Sequence, residues 1–388
     1  MKTLVLLSVM LLCACQSNTG ASLNQGLPLY DHAFSGYTDY PLETQEEIFA
    51  LSDEAKKFAR EAVKGIFDSD EQIRALARAI FARSEFNLLY RADANTVAAD
   101  TFANRAANCL SLSIMTYALA KELGFAVRFQ DVSVPEYWTR REGQRLLNGH
   151  VNLQIIPGSN NGKVVFSRYG FEVDFDRQQS RPQSNKRALS LGQITAMFYN
   201  NKGADALLNN HYDLAYSYFR KALHYDAQAA QILANLGYLY RRTDHHEYAE
   251  QAYKLAIQAD ESNLTAWQNL AFLYHLQKRD DEAAAINEKL ANKRSSNPYY
   301  FLSLGDAAYA NHNWQTALDQ YRKALELDKS IHEVFFGLGR VYFELGNISR
   351  SRYFLQQAKM KSNSAQTQQV YASKLEFLRR YAAKHDAV

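Results

Sequence analysis

Apolar residues follow helical spacing as far as Gly124, alternate from Ala126 to Phe175, and return to helical spacing from Leu191 to the end. Between Pro41 and Tyr90 lie two amphipathic segments, SDEAKKFAREAVKGIF and SDEQIRALARAIFARSEF. Each opens on a serine (Ser52, Ser69) followed by carboxylates, which caps a helix and suits the positive end of its dipole. A third helix is predicted after Asn108, with Leu110, Ile114, Met115, Tyr117, Ala118 and Leu119 on the period and Gly124 as its stop. Cys109 therefore falls on a first helical turn. The stretches AVRFQDVSV, HVNLQII, KVVFS and FEVDF alternate as strands do, with PGSNNGK (Pro157 to Lys163) as a tight connection. Helices followed by consecutive strands predict an α+β domain over residues 41–190.

The second helical stretch repeats itself. Gly203, Gly237, Ala271, Gly305 and Gly339 stand 34 residues apart. Ala215, Ala249, Ala283, Ala317 and Ser351 follow in the same register, then Phe219, Tyr253, Asn287, Tyr321 and Leu355, then Ala222, Ala256, Leu290, Ala324 and Ala358. Small residues at fixed positions let paired helices approach closely, and an aromatic residue fills the space between them. The third unit departs from this pattern at Asn287 and Leu290. Period and pattern resemble tetratricopeptide repeats. The resemblance implies five repeats over 191–363, an all-α solenoid with its own core that binds a protein or peptide along its concave face. Ala365 to His385 is expected to form the terminal helix of a capping segment over 364–388.

The N-terminus bears on compartment. Lys2 precedes an apolar run, Thr3 to Leu12, of signal-peptide length and too short for a bilayer span. Leu12-Cys13-Ala14-Cys15 resembles the lipobox of bacterial lipoproteins. That resemblance implies residues 1–15 as signal and lipobox, acylation of Cys15, and anchoring by several chains. With Gln16 next, it further implies a periplasm-facing outer-membrane location, and the polar residues that follow suggest a flexible tether over 16–40. The formal charge of +3 falls to +2 without Lys2, so no strong field points to nucleic acid. The chain has no Gly-rich phosphate loop or nucleotide fingerprint, and His245-His246 has no Cys or carboxylate at ligand spacing. No cofactor and no metal are expected.

Cys109 becomes the only free thiol of the processed chain, so no intrachain disulfide is available to it. Unpaired N–H groups and the dipole at a helix start favour its thiolate. His150 heads a strand whose apolar face is Val151, Leu153 and Ile155, with Asn152 and Gln154 beside it on the other face. Glu172, Asp174 and Asp176 share one face of FEVDFD. Cysteine at a helix start, ALAKELGFAVRF, then GHV, then VDFD resembles the transglutaminase-like (papain-type) cysteine enzymes over Thr96 to Asp176. The resemblance implies Cys109 as nucleophile, His150 as base and Asp174, or alternatively Asp176, as orienting acid. Asn152 and Phe175 stand where the family usually has an aromatic residue and a proline. The implied activity is attack on amide bonds, with water or an amine as acceptor. A non-catalytic scaffold carrying an inactive domain is the alternative. Trp138 lies in a stretch, VPEYWTRREGQRLLNGH, that reads as a loop.

Overall fold

The computed structural model describes residues 26–27, 29–81, 89–91, 94–132, 138–141, 144–147, 150–157, 171–173, 186–362 and 365–385. Cys15, Lys163 to Ser167, Asp174 and Asp176 lie outside the described residues.

The first part of the chain contains helices α1 (Gln45–Phe49), α2 (Asp53–Ala62), α3 (Ser69–Phe81), α4 (Ala98–Asn104) and α5 (Cys109–Glu122). Strands β1 (Leu89–Tyr90) and β2 (Ala106–Ala107) pair in parallel. Strands β3 (Ala126–Val132), β6 (His150–Ile156), β7 (Phe171–Val173) and β8 (Lys186–Leu189) form an antiparallel sheet in the order β7-β6-β3-β8. The sheet is small, and most of the described chain is helical. Helix α5 lies on it. Its Tyr117 ring stacks on Phe129 of β3 at 4.9 Å, and the Ser113 hydroxyl donates to the Val151 carbonyl of β6 at 3.2 Å.

Two sequence expectations change here. The segment around Trp138 forms a hairpin, β4 (Trp138–Arg141) with β5 (Gln144–Leu147), rather than a loop. On β6 the residues Val151, Leu153 and Ile155 are buried as alternation predicts, but Asn152 on the supposed polar face is also buried. Alternation identifies the more apolar face and says nothing of what covers the other.

Strand β8 runs through Ser190 directly into the array, and Ser190 and Gln193 close a capping box at the start of α6 (Leu191–Leu208). Five antiparallel pairs follow: α6 with α7 (Tyr212–Tyr225), α8 (Ala230–Arg242) with α9 (His246–Ala259), α10 (Leu264–Leu276) with α11 (Asp280–Ser295), α12 (Pro298–Ala310) with α13 (Trp314–Leu327), and α14 (His332–Glu344) with α15 (Ile348–Lys361). Helix α16 (Ala365–His385) ends the stack. The glycine ladder sits under aromatic rings. A Cβ on Gly203, Gly237 or Gly305 would lie 2.7, 2.7 or 2.5 Å from the ring of Phe219, Tyr253 or Tyr321. In the third pair Ala271 replaces the glycine and Asn287, which replaces the ring, is exposed.

A second ladder runs through the turns. Asn210, Asp244, Lys278, His312 and Gly346 each adopt a left-handed backbone, with φ of 60°, 62°, 61°, 57° and 73°. The next N–H reaches back to the last turn of the first helix in every pair, as in His211 N–H to Ala206 O and Arg279 N–H to Tyr274 O, both 2.9 Å. This is a Schellman stop, which satisfies carbonyls left open at a helix end.

Residues 29–40, expected to belong to a flexible tether, instead form a strap on the array. Asp31–Asp39 is a pair of 3₁₀ turns meeting at Phe34, which is 2% exposed. Phe34 stacks on Tyr216 of α7 at 4.5 Å, and Tyr30 stacks on Tyr248 of α9 at 4.1 Å. The Tyr216 hydroxyl and Arg220 donate to the Asp31 carboxylate at 2.7 and 3.0 Å, and Ser217 donates to the Tyr37 carbonyl. Burial opposes the charge on Asp31, but these hydrogen bonds outweigh it and hold its pKa below the usual aspartate range. Downstream, Tyr199 donates to the Glu43 carbonyl and Lys202 pairs with the Glu43 carboxylate at 3.1 Å. One apolar core therefore runs from Phe34 through α5 and the sheet to Leu290 of α11. The expectation of an array with a core of its own is corrected for its first three pairs.

Candidate functional site

Cys109 is the first residue of α5 and half-buried. The Asn108 side chain accepts the Ser111 N–H at 2.9 Å and so caps the helix. The Ser111 hydroxyl donates to the Ala94 carbonyl at 3.1 Å and accepts the Thr96 N–H at 3.0 Å, pinning the first turn to the preceding segment. The cap also reaches the array. The Asn108 amide donates to the Asn95 side chain, and the Asn95 amide donates to the Asp205 carboxylate of α6.

His150 is the first residue of β6, where its backbone pairs with Val132 of β3. Helix α5 packs on this strand, so Cys109 and His150 belong to neighbouring elements. Strand β7, next to β6, ends at Val173, one residue before Asp174. Among the described residues, no three His, Cys, Asp or Glu side chains gather in a way that suits a metal ion.

The array offers a different surface, along the first helices of the pairs. The amides of Asn200 and Asn235 join α6 to α8 at 2.8 Å, and Gln231 donates to Asn235 at 3.4 Å. The Arg241 guanidinium lies between the rings of Tyr238 and Phe272, 4.8 and 4.7 Å from their centres. Further on, Arg340 lies over Tyr309 and Phe336 at 4.3 and 5.1 Å and pairs with Asp306 at 2.6 Å. Guanidinium faces on aromatic rings hold both groups in place while leaving edges to meet a ligand. These residues were not among the sequence candidates, although the signal was present. Tyr238, Phe272, Asp306 and Arg340 follow the ladder positions by one residue at the same 34-residue spacing.

On another side, α9, α10 and α11 enclose an open apolar cleft of about 350 Å³ lined by Ile257, Trp267, Leu270, Tyr274 and Ile286. Glu250 is near its rim, bonded to Lys254 at 2.6 Å, Arg279 at 2.6 Å and Tyr274 at 3.0 Å. Burial alone would raise the Glu250 pKa, but hydrogen bonds from Arg279, Lys254 and Tyr274 bring it down to about 2.

Residues 230–263 and 302–365 match family profiles for the tetratricopeptide repeat. Protein O-mannosyl-transferase TMTC3 of Mus musculus is 25% identical over 173 residues, 41% of this chain and 19% of that protein. The Homo sapiens protein of the same name is 24% identical over an equal length. The chain thus spans about a fifth of the length of the curated relatives it matches. Among solved structures, YrrB, a TPR protein with an unusual peptide-binding site, is 19% identical over 46% of this chain and 92% of its own, with a TM-score of 0.25. MamA is 17% identical over 43% of this chain and 91% of its own, with a TM-score of 0.25. Pseudomonas aeruginosa PilF is 17% identical over 50% and 100%, with a TM-score of 0.27. The repeated C-terminal region is a tetratricopeptide-repeat solenoid.

Proposed function

We propose that the solenoid binds an extended protein segment along its first helices and holds it for a transglutaminase-like cysteine domain over residues 41–190. The reading for binding rests on the row of Asn235, Tyr238, Arg241 and Phe272, with buried Asn200 holding Asn235 in place. The row combines an amide for a peptide backbone with stacked rings for its side chains. The reading for chemistry rests on one observation: the capped helix that begins at Cys109 packs on the strand that begins at His150. In this mechanism the Cys109 thiolate adds to an amide carbonyl. First-turn N–H groups of α5 stabilise the oxyanion, and the C–N bond breaks as His150 protonates the leaving amine. Asp174 orients His150, with Asp176 as its substitute. The thioester then passes to water or to a second amine. The compartment belongs to the same proposal, with Cys15 lipidated and the protein facing the periplasm from the outer membrane.

Two measurements test this. Cys109 should react with a small alkylating reagent in the folded protein, and His150→Ala should slow that reaction without unfolding the domain. A thiol that reacts only after denaturation would support the scaffold reading. For binding, Tyr238→Ala with Phe272→Ala should abolish capture of segments from an envelope-protein peptide array. Capture unchanged by that pair would refute the assigned face.

A further inference from the structure

The repeats are not evenly joined. In the fourth pair the Tyr321 ring is wedged against Gly305 of its own pair and Gly337 of the next, 2.5 and 2.6 Å from where their Cβ atoms would stand. The ring therefore fastens three helices together. Phe219 and Tyr253 are equally buried in the first two pairs. The third pair has the exposed Asn287 in this position and Ala271 opposite it. A fully buried ring contributes about 1.5–3 kcal/mol, and an asparagine in solvent contributes nothing comparable.

The consequence appears in the next helix. Helix α12 has a single buried residue, Gly305, against seven each in α8 and α14. Its Tyr299, Phe301 and Leu302 are only half-buried, at the edge of a second core built around Ala317, Tyr321, Val334 and Leu338. The first core ends at Leu290. Across the gap Arg294 lies over the Tyr300 ring at 5.5 Å, a surface interaction worth about 0.5–1 kcal/mol. The connector is Ser296-Asn297-Pro298, with Asn297 capping α12 and Pro298 in its first turn.

We infer that the solenoid is hinged between its third and fourth pairs. The first three pairs move as one body with the strap and the sheet, and the last two pairs with α16 move as another. The hinge divides the proposed binding face into a fixed half, carrying Tyr238 and Phe272, and a swinging half, carrying Tyr309 and Arg340. A segment long enough to touch both halves would fix the angle between them, whereas a shorter one would leave it free.

The inference is independent of the cysteine chemistry and is tested on the full-length protein. Spin labels on unnatural side chains leave the native cysteines in place. Exposed positions 251 and 329 span the hinge, and the pairs 221 with 251 and 329 with 352 lie within each body. The distance distribution for 251–329 should be broader than either control. Ala271→Gly with Asn287→Phe restores the pairing found at Gly203 and Phe219, and should narrow it to the width of the controls. A distribution across the junction in the unaltered repeats as narrow as the controls would overturn the inference, whether or not the double variant folds. Amide exchange gives a second reading: α12 should exchange faster than α8 and α14, and equal protection in all three would count against the hinge.

Discussion

Replacing Phe34 with alanine tests whether the strap is part of the solenoid or merely rests on it. Phe34 is 2% exposed, stacks on Tyr216 at 4.5 Å, and has Tyr240 and the edge of His245 at 6.0 Å. Truncating a buried phenylalanine costs about 3–5 kcal/mol, of which the stacked pair accounts for about 0.5–1.5. The remaining anchors of the strap, Asp31, Tyr30 and Tyr37, are polar or partly exposed and do not replace that loss. The strap should therefore detach while the helices beneath it stay folded. Hydrogen exchange reads this locally, because a loss of 3 kcal/mol corresponds to roughly a hundredfold in the opening equilibrium. Amides of residues 29–40 should exchange about two orders of magnitude faster in Phe34→Ala, and those of α13 to α15 should not change. Phe34→Leu keeps most of the apolar area and should cost about 1 kcal/mol. If 29–40 keep their protection to within about threefold in the alanine variant, the assigned role of Phe34 is wrong.

Gly305→Ala should destabilise by about 1–3 kcal/mol, reversing the usual helix preference for alanine, because the new methyl overlaps the Tyr321 ring; Gly192→Ala, with 3.8 Å of clearance, is the control in a melting series. Lys278→Gly should stabilise by about 0.5–1 kcal/mol, since a left-handed lysine carries a steric cost that glycine avoids, and Gly346→Ala should do the reverse in the same urea titration. Glu250→Gln should cost roughly 1–3 kcal/mol at pH 7. The folded pKa of about 2 lies below the unfolded value near 4.3, so this stability is present above pH 4.3 and lost as pH falls towards 2. Urea midpoints of the two proteins should therefore converge over that range, and a constant gap would refute the charge network.

The glycine and aromatic ladders were legible because the same residue types recur where the same helices touch. The turn ladder has the same period yet escaped notice, because Asn210, Asp244, Lys278, His312 and Gly346 share a backbone conformation and not a chemistry. The cap on the cysteine helix is local, and Asn108 revealed it. Its continuation through Asn95 to Asp205 joins side chains 110 residues apart, and no periodicity records such a contact. The strap was misread for a related reason. Its aromatic residues have no repeat of their own and gain meaning only against Tyr216, Tyr240 and Tyr248. Buried Asn152 was likewise invisible to an alternation rule that sorts faces by polarity alone.

The strap also fixes an order of events in the life of the chain. The Tyr30 N–H donates to the Tyr240 hydroxyl across 210 residues of sequence. At about 5–20 residues per second, a ribosome needs roughly 10–40 s to cover that interval. Throughout that time Phe34 and its neighbours have no surface to close upon. A segment made before the rest of the first body is thus among the last of it to reach its place. The final two pairs and α16, with a separate core, contribute nothing to that closure. In translation without membranes, a ribosome stalled soon after α9 has emerged should already carry a fastened strap, whereas one stalled before α8 should present it to an added protease.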